Sequence, residues 1–472
     1  MRKTYFLLFG VGLLVELAGC APQTGTVWDD PVYARLIENY QDIDLNVAPG
    51  DANDQPAPGT EAILSAKEAL SLGDAITITV ANHPRLRTAG YAVRAAEGRE
   101  VQARLGPNPG FGVEAEALGA SEGESGETAY VLRQEFITAG KLDKAGRVAQ
   151  ADQLVSRAAF NATKHELIAG VKQAFYAVLA AERRVAARRE LADLAAQLLQ
   201  ATEARVEAGA AIEPDRLRAQ VAHEQARLAL RTADAELEAA RKTLSVAMGL
   251  DAPLAIPLAG DLESLLAFPS QADVLQRVLA WNSRLQAARH SRERARRAHE
   301  LAKAEAWPNI TAFAGPRYSD IDGESTLDAG VVLEIPLINR NQGAIAEALA
   351  ERLRAGASLG QTQLELIEAT SQAWIAYDLA RTVVETYREV LLPKTRRTLE
   401  LTERAYRSGK LDYLRLLDAQ QVFVETNVIY LDALLGLHQA AAALESLMEI
   451  ELGELNAKDT FIQPTNTKEV SP

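Results

Sequence analysis

Thr202-Glu203, Gly209 and Leu217-Arg218-Ala219-Gln220 stand in one half of the chain; Thr402-Glu403, Gly409 and Leu417-Asp418-Ala419-Gln420 stand in the other. Working outward from this pair, Asn82-His83-Pro84-Arg85-Leu86 corresponds to Trp281-Asn282-Ser283-Arg284-Leu285, Pro107-Asn108 to Pro308-Asn309, and residues 132–137 to 333–338. The offset stays between 199 and 201 along the whole length. Chance composition rarely produces that, so the chain is a duplication of one unit. Residues 65–265 are read as the first copy and 266–452 as the second, with an extended Pro-, Asn- and Gly-bearing leader at 20–64 and a polar tail at 453–472.

Each copy runs in the same order: helix, strand pair, long helix, tight turn, long helix. Ala226, Leu230, Ala233, Leu237, Ala240, Leu244 and Ala247 alternate steps of four and three. So do Leu416, Gln420, Phe423, Asn427, Tyr430, Leu434, Leu437, Ala441, Leu444 and Met448. That 3.5-residue period makes a coiled-coil seam. A second stripe, Leu417, Val424, Val428, Leu431 and Leu435, widens the apolar face enough to meet neighbours on two sides. Residues 344–408 read as one rod of about 97 Å at about 1.5 Å per residue. Pro393 is expected to kink or split it, because proline lacks a ladder donor and clashes with the preceding turn. The fold class is mainly α with a small β part: long coiled-coil hairpins plus four strands per chain.

The four strands are period-two segments. Phe111, Val113, Ala115 and Ala117 alternate with Gly112, Glu114, Glu116 and Leu118; Tyr130, Leu132, Gln134 and Phe136 mark the second strand. Ile310, Ala312 and Ala314 alternate with Thr311, Phe313 and Gly315; Ala329, Val331, Leu333 and Ile335 alternate with Gly330, Val332 and Glu334. Residues 119–127 and 317–326 are read as polar loops. Apolar residues on one face and acids on the other suit a barrel with lipid outside and water within, and Glu114, Glu116 and Glu334 are the lumen-facing candidates. Four strands cannot close on themselves, since the smallest membrane barrels need about 8, so several copies must share one barrel.

Composition narrows the function. The 472 residues carry a net charge of −14 and only 6% aromatics. Phosphate neutralisation needs a basic surplus, so no nucleic-acid partner is expected. The single Cys excludes a disulfide framework and a Cys-ligated zinc site, and six His and three Met are scattered, so no metal site is expected. That Cys, Cys20, ends Leu17-Ala18-Gly19-Cys20 behind Arg2, Lys3 and a short apolar run. Residues 1–19 read as an export signal of the bacterial lipoprotein type, with Cys20 lipidated (a palmitate-type anchor and no other cofactor). Ala21 after the Cys favours the outer membrane. No later segment reaches the ~20 apolar residues of a spanning helix, so any crossing must be by strands.

Taken together, Trp307-Pro308-Asn309-Ile310 at a strand start, the duplicated halves, and Tyr406-Arg407-Ser408-Gly409 followed by Leu417-Asp418-Ala419-Gln420 resemble the outer membrane efflux protein family of TolC-like channels, across 65–452. The resemblance implies a homotrimer with a shared 12-stranded transmembrane barrel continued by a helical barrel through the periplasm. It also implies a periplasmic adaptor and an inner-membrane pump of the resistance-nodulation-division class as partners. Gly209, Gly409 and Ser408 become tip residues that meet the adaptor. Tyr406, Arg415 and Asp418 become the gate, although Leu411 stands where the family has a basic latch residue and Arg415 where it has a second ring carboxylate. Residues 134–141 resemble the strand-to-helix junction of the metal-efflux branch.

Three other readings fit the residues less well. His223-Glu224 and His299-Glu300 begin like a zinc-protease motif, but Arg227 and Lys303 occupy the second ligand position, so no catalytic residue is expected. A periplasmic adaptor lipoprotein would carry one hairpin inside a β-rich domain, not two hairpins around paired strands. A coiled-coil scaffold would have no use for amphipathic strand pairs.

Overall fold

The computed structural model describes residues 68–450 apart from 117–125, 253, 255, 265–267, 320–322, 409 and 412. The first copy comprises β1 (Leu70–Ser71), α1 (Leu72–Asn82), α2 (Pro84–Arg104), β2 (Gly110–Glu116), β3 (Glu127–Phe136), α3 (Lys141–Glu207) and α4 (Glu213–Ala247). After β4 (Leu258–Ala259) the second copy repeats the order with α5 (Gln271–Trp281), α6 (Ser283–Glu305), β5 (Ile310–Ser319), β6 (Ser325–Leu333), α7 (Gln342–Thr386), a π-turn (Tyr387–Leu391), α8 (Leu392–Arg407) and α9 (Tyr413–Met448).

The duplication extends to the caps. Ser71 accepts the backbone N–H of Asp74 at the start of α1, and Ser270 accepts that of Asp273 at the start of α5. His83 and Asn282 each end one helix and cap the next. Such caps satisfy orphan donors at helix starts, so the breaks are written into the local sequence. Gly140 and Asn341, both left-handed, precede α3 and α7.

Helix α3 runs 67 residues without interruption, about 100 Å. Its counterpart is interrupted just before Pro393 by one π-turn and then continues as helix. The π-turn absorbs the proline: the N–H of Leu392 bonds to the carbonyl of Tyr387, five residues back, and α8 resumes with Pro393 in its first turn. A one-turn widening of this kind lets a helix pass a missing donor. The coiled-coil seams face inward. Leu416, Tyr430, Leu434, Leu437, Ala441, Leu444 and Met448 are all buried. Midway along the rods, Phe175, Val178, Leu244, Val274, Val278, Leu285, Leu366, Tyr377 and Val384 join them in one apolar core. Within it Tyr176 stacks on His438 at 3.8 Å, and Lys172 meets Glu445 at 2.6 Å.

The four long strands form one antiparallel sheet in the order β2-β3-β5-β6. Of the stretch 317–326, read from sequence as a loop, residues 317–319 and 325–326 are strand, since β5 runs through Pro316 to Ser319 and β6 starts at Ser325. Proline normally ends an interior strand. Here its missing donor leaves a local gap in the β3–β5 ladder, and the register on either side is unchanged.

Candidate functional site

Residues directly opposite on neighbouring strands share a face. The register therefore places Phe111, Val113, Tyr130, Leu132, Phe136, Ile310, Leu327, Val331 and Leu333 together, and all nine are exposed. A continuous exposed apolar face of this extent requires a non-aqueous neighbour. The opposite face holds Glu114, Glu116, Glu127, Arg133, Glu135, Arg317 and Asp328. Glu114 and Glu116 sit there as ion-paired groups. Arg133 pairs with Glu114, while Arg317 donates to Glu116 at 3.0 Å, Glu127 at 2.8 Å and Asp328 at 2.7 Å. Sequence reading missed both arginines as partners because the pairs cross strands up to 201 positions apart. Acids outnumber bases on this face among the described strand residues. Glu334 lies one residue past β6 and is exposed.

Two glycines make close approach possible. A Cβ on Gly315 would overlap the backbone oxygen of Tyr130, and one on Gly330 would overlap the ring of Phe313, which lies across it on the charged face.

At the far end of the rods each hairpin closes in the same way. The N–H of Ala210 bonds to Arg205 O at 2.8 Å around Gly209, which is left-handed; the N–H of Lys410 bonds to Ala405 O at 2.9 Å. These six-to-one bonds are the Schellman closure that glycine permits. Ser408 is exposed, and among the described residues its hydroxyl bonds within its own turn, to Ala405 O. Gly409 and Cys20 lie outside the described residues. Tyr406 is brought to a basic group after all: Arg205, from the other hairpin, donates to its phenol oxygen at 3.4 Å. Arg205 stands one turn before Gly209 as Tyr406 stands before Gly409, but only packing shows that the two hairpins meet there. Arg415 and Asp418 are exposed one turn apart on α9, and among the described residues no ion pair joins them. Ile212, Leu217, Val221 and Leu411 are exposed apolar side chains near the tips.

No helix among the described residues is long and apolar enough to cross a membrane, and no cluster of His, Cys, Asp or Glu among them is arranged to hold a metal ion. The exposed apolar face of the sheet is a surface fitted to lipid.

A duplicated pair of helical hairpins carrying a sheet with one apolar and one charged face defines an outer-membrane channel of the exporting type. The chain belongs to the outer membrane efflux protein family, whose pattern matches residues 75–250 and 274–448. It is 25% identical over 380 residues to the cobalt-zinc-cadmium resistance protein CzcC of Cupriavidus metallidurans, covering 80% of this chain and 90% of that one. Its fold matches the Campylobacter jejuni CmeC outer membrane channel at a TM-score of 0.69 and 15% identity, over 81% of this chain and 88% of the other. A membrane protein from Pseudomonas aeruginosa matches at 0.69 and 22% identity, over 80% and 92%. The protein is an efflux channel of the outer membrane. The adaptor and scaffold readings give way to it.

Proposed function

We propose that three copies of this chain form one passive conduit, each giving its four strands to a 12-stranded barrel and its hairpins to a hollow helical stalk, with a lipid on Cys20 as a second membrane anchor. The observation that carries this is the sheet. Strands β2 and β6 end it with unpaired edges, one face is uncharged and mostly apolar, and the other is charged. Open edges beside lipid leave backbone groups unsatisfied, and closure by sister strands removes that cost.

The tips around Gly209, Ser408 and Gly409, with exposed Ile212 and Leu217 beside them, are the surface for a periplasmic adaptor that links the conduit to an inner-membrane pump. Tyr406 with Arg205 holds the tips together, and Asp418, repeated three times, lines the constriction. The protein itself performs no chemistry. The cargo is a metal cation or a small molecule; the excess of carboxylates on the inner face and the relative named for cobalt, zinc and cadmium resistance favour the cation.

The test is the purified particle. A detergent-extracted mass of three chains, drawn from the outer-membrane fraction and giving cation-selective steps in a planar bilayer, is the expected result. A monomer without conductance would refute the reading. Loss of zinc, cobalt or cadmium tolerance on deletion separates metal from drug cargo.

A further inference from the structure

The two copies meet inside the chain at a polar clasp where strand gives way to helix. Thr138 donates through its hydroxyl to the carbonyl of Pro308, and its N–H reaches Asn309 Oδ1 at 3.4 Å. Lys141 Nζ donates to Trp307 O at 2.6 Å and to Asn309 Oδ1 at 2.5 Å, while Asn309 Nδ2 donates to Glu135 Oε1 at 2.6 Å. The first copy supplies the hook and the second the eye.

The duplication supplies the complementary pieces and leaves them open but for one bond, from Gln134 Nε2 to the carbonyl of Pro107 at 3.0 Å, which leaves that oxygen a second lone pair. At the offset of 201 that relates Pro107-Asn108 to Pro308-Asn309 and Gly140 to Asn341, the second hook is Asn339 and Gln342, and the second eye is Gly106, Pro107 and Asn108. Four half-buried clasp residues of the closed seam have exposed counterparts in the open one: Thr138 against Asn339, Lys141 against Gln342, Pro308 against Pro107, Asn309 against Asn108; the fifth, Glu135, corresponds to Pro336, which is half-buried as well. Ile137 is half-buried, whereas its mate Ile338 is 90% exposed and Leu337 beside it 77%. The polar groups agree. Asn309 makes the bonds above; Asn108 makes none among the described residues, and Asn339 and Gln342 bond only residues of their own turn. Hook and eye lie at the two open ends of the repeat order, so one chain cannot join them to each other.

We infer that residues 337–342 of each chain clasp residues 106–108 of a second copy, with Asn339 and Gln342 gripping the Pro107-Asn108 turn as Thr138 and Lys141 grip Pro308-Asn309. This rests on the ring of copies proposed above and assigns its contact at the base of the sheet. The occupant is a second copy because the chain already seats its own second repeat on this geometry. The eye, Gly106-Pro107-Asn108, and the gripping residues Asn339 and Gln342 are uncharged, and Arg340 is the one charge in the hook segment. Leu337 and Ile338 are then covered by the neighbour.

The test is disulfide formation in detergent-extracted particles under mild oxidation. Asn108→Cys with Asn339→Cys, and separately Gly106→Cys with Gln342→Cys, should shift the band on non-reducing gels from one chain mass to two and three. The single variants, which retain Cys20, should not. Thr138→Cys with Pro308→Cys is the internal comparison and should change mobility at one chain mass. Particles that keep the mass of three chains and form the internal bond, but no bond between chains in either pair, overturn the clasp and leave the trimer standing. Particles of one chain mass overturn the trimer itself. Asn108→Ala, which alters no bond inside the chain, should lower the temperature at which the particle dissociates in dodecyl sulfate; Asn309→Ala should lower the stability of the single chain as well.

Discussion

Arg205 of the first hairpin donates to the phenol oxygen of Tyr406 in the second, 3.4 Å away and one turn above two tips that close with the same backbone bond. Both residues lie at the surface of the rods, so water competes for the contact and it holds only weakly. Such an exposed neutral-acceptor bond contributes at most about 1 kcal/mol, or about a fivefold shift in an open-to-closed ratio for each subunit. A tie of that strength suits a gate.

Tyr406→Phe and Arg205→Ala should each raise open probability in single-channel recordings. The double variant should add little to either, since both remove the same bond. Unchanged open probability in both single variants would take this pair out of the gate.

Asp418 is exposed at the start of α9, with no partner recorded among the described residues. Three copies facing one bore would attract cations and bind divalent ions. Asp418→Asn should lower the cation-to-anion permeability ratio and relieve block by added magnesium. Arg415→Ala should act in the opposite direction. Equal selectivity in all three proteins would place Asp418 on the outside of the stalk.

Gly315 sits where a Cβ would fall on the carbonyl of Tyr130, a backbone atom that cannot rotate away. Gly315→Ala should therefore open the β3–β5 ladder, costing about 3 kcal/mol or more and depleting assembled particles from membranes. Gly110→Ala, with open space around its Cβ, is the control and should assemble normally.

His438 packs face to face with Tyr176 in the mid-rod core and bonds Leu262 O through Nε2 at 2.9 Å. Burial holds its pKa below the ordinary value of 6.5, against the opposing pull of that carbonyl and of Asp261. The unfolded chain takes up a proton as pH falls through about 6.5, and the folded chain does so only at lower pH. Stability conferred by neutral His438 is thus complete above that value and declines as pH drops below it, by at most about 1.4 kcal/mol per pH unit for one proton. His83, lowered in the same direction by burial and by Arg85, adds to the slope. Urea midpoints measured from pH 7.5 to 5 should fall in the wild type and fall less steeply in His438→Gln.

Much of this architecture lies in short-range pattern. The steps of four and three that ended at Met448 bury along one seam because heptad spacing alone puts those side chains on one side of a helix. Period-two alternation separated Glu114 and Glu116 from Phe111 and Val113 for the same geometric reason. Where the sequence misled, the cause was a local rule met by a structural adjustment. Pro393 divides the α-helix as a π-turn rather than a break, and the stretch read as a loop from residue 317 carries β5 on to Ser319, with the register the same on both sides of Pro316.

What the sequence determined by itself is what depends on neighbours a few positions away or on repetition: two copies of one unit, their helical seams, their amphipathic strands, their glycine tips. Tertiary structure alone decided which distant groups meet: Arg205 with Tyr406, Arg317 with Glu116, Lys141 with Asn309, Lys172 with Glu445. Residues separated by one or two hundred positions are brought together by the packing of whole rods and the register of whole strands. No spacing within a single element carries that information.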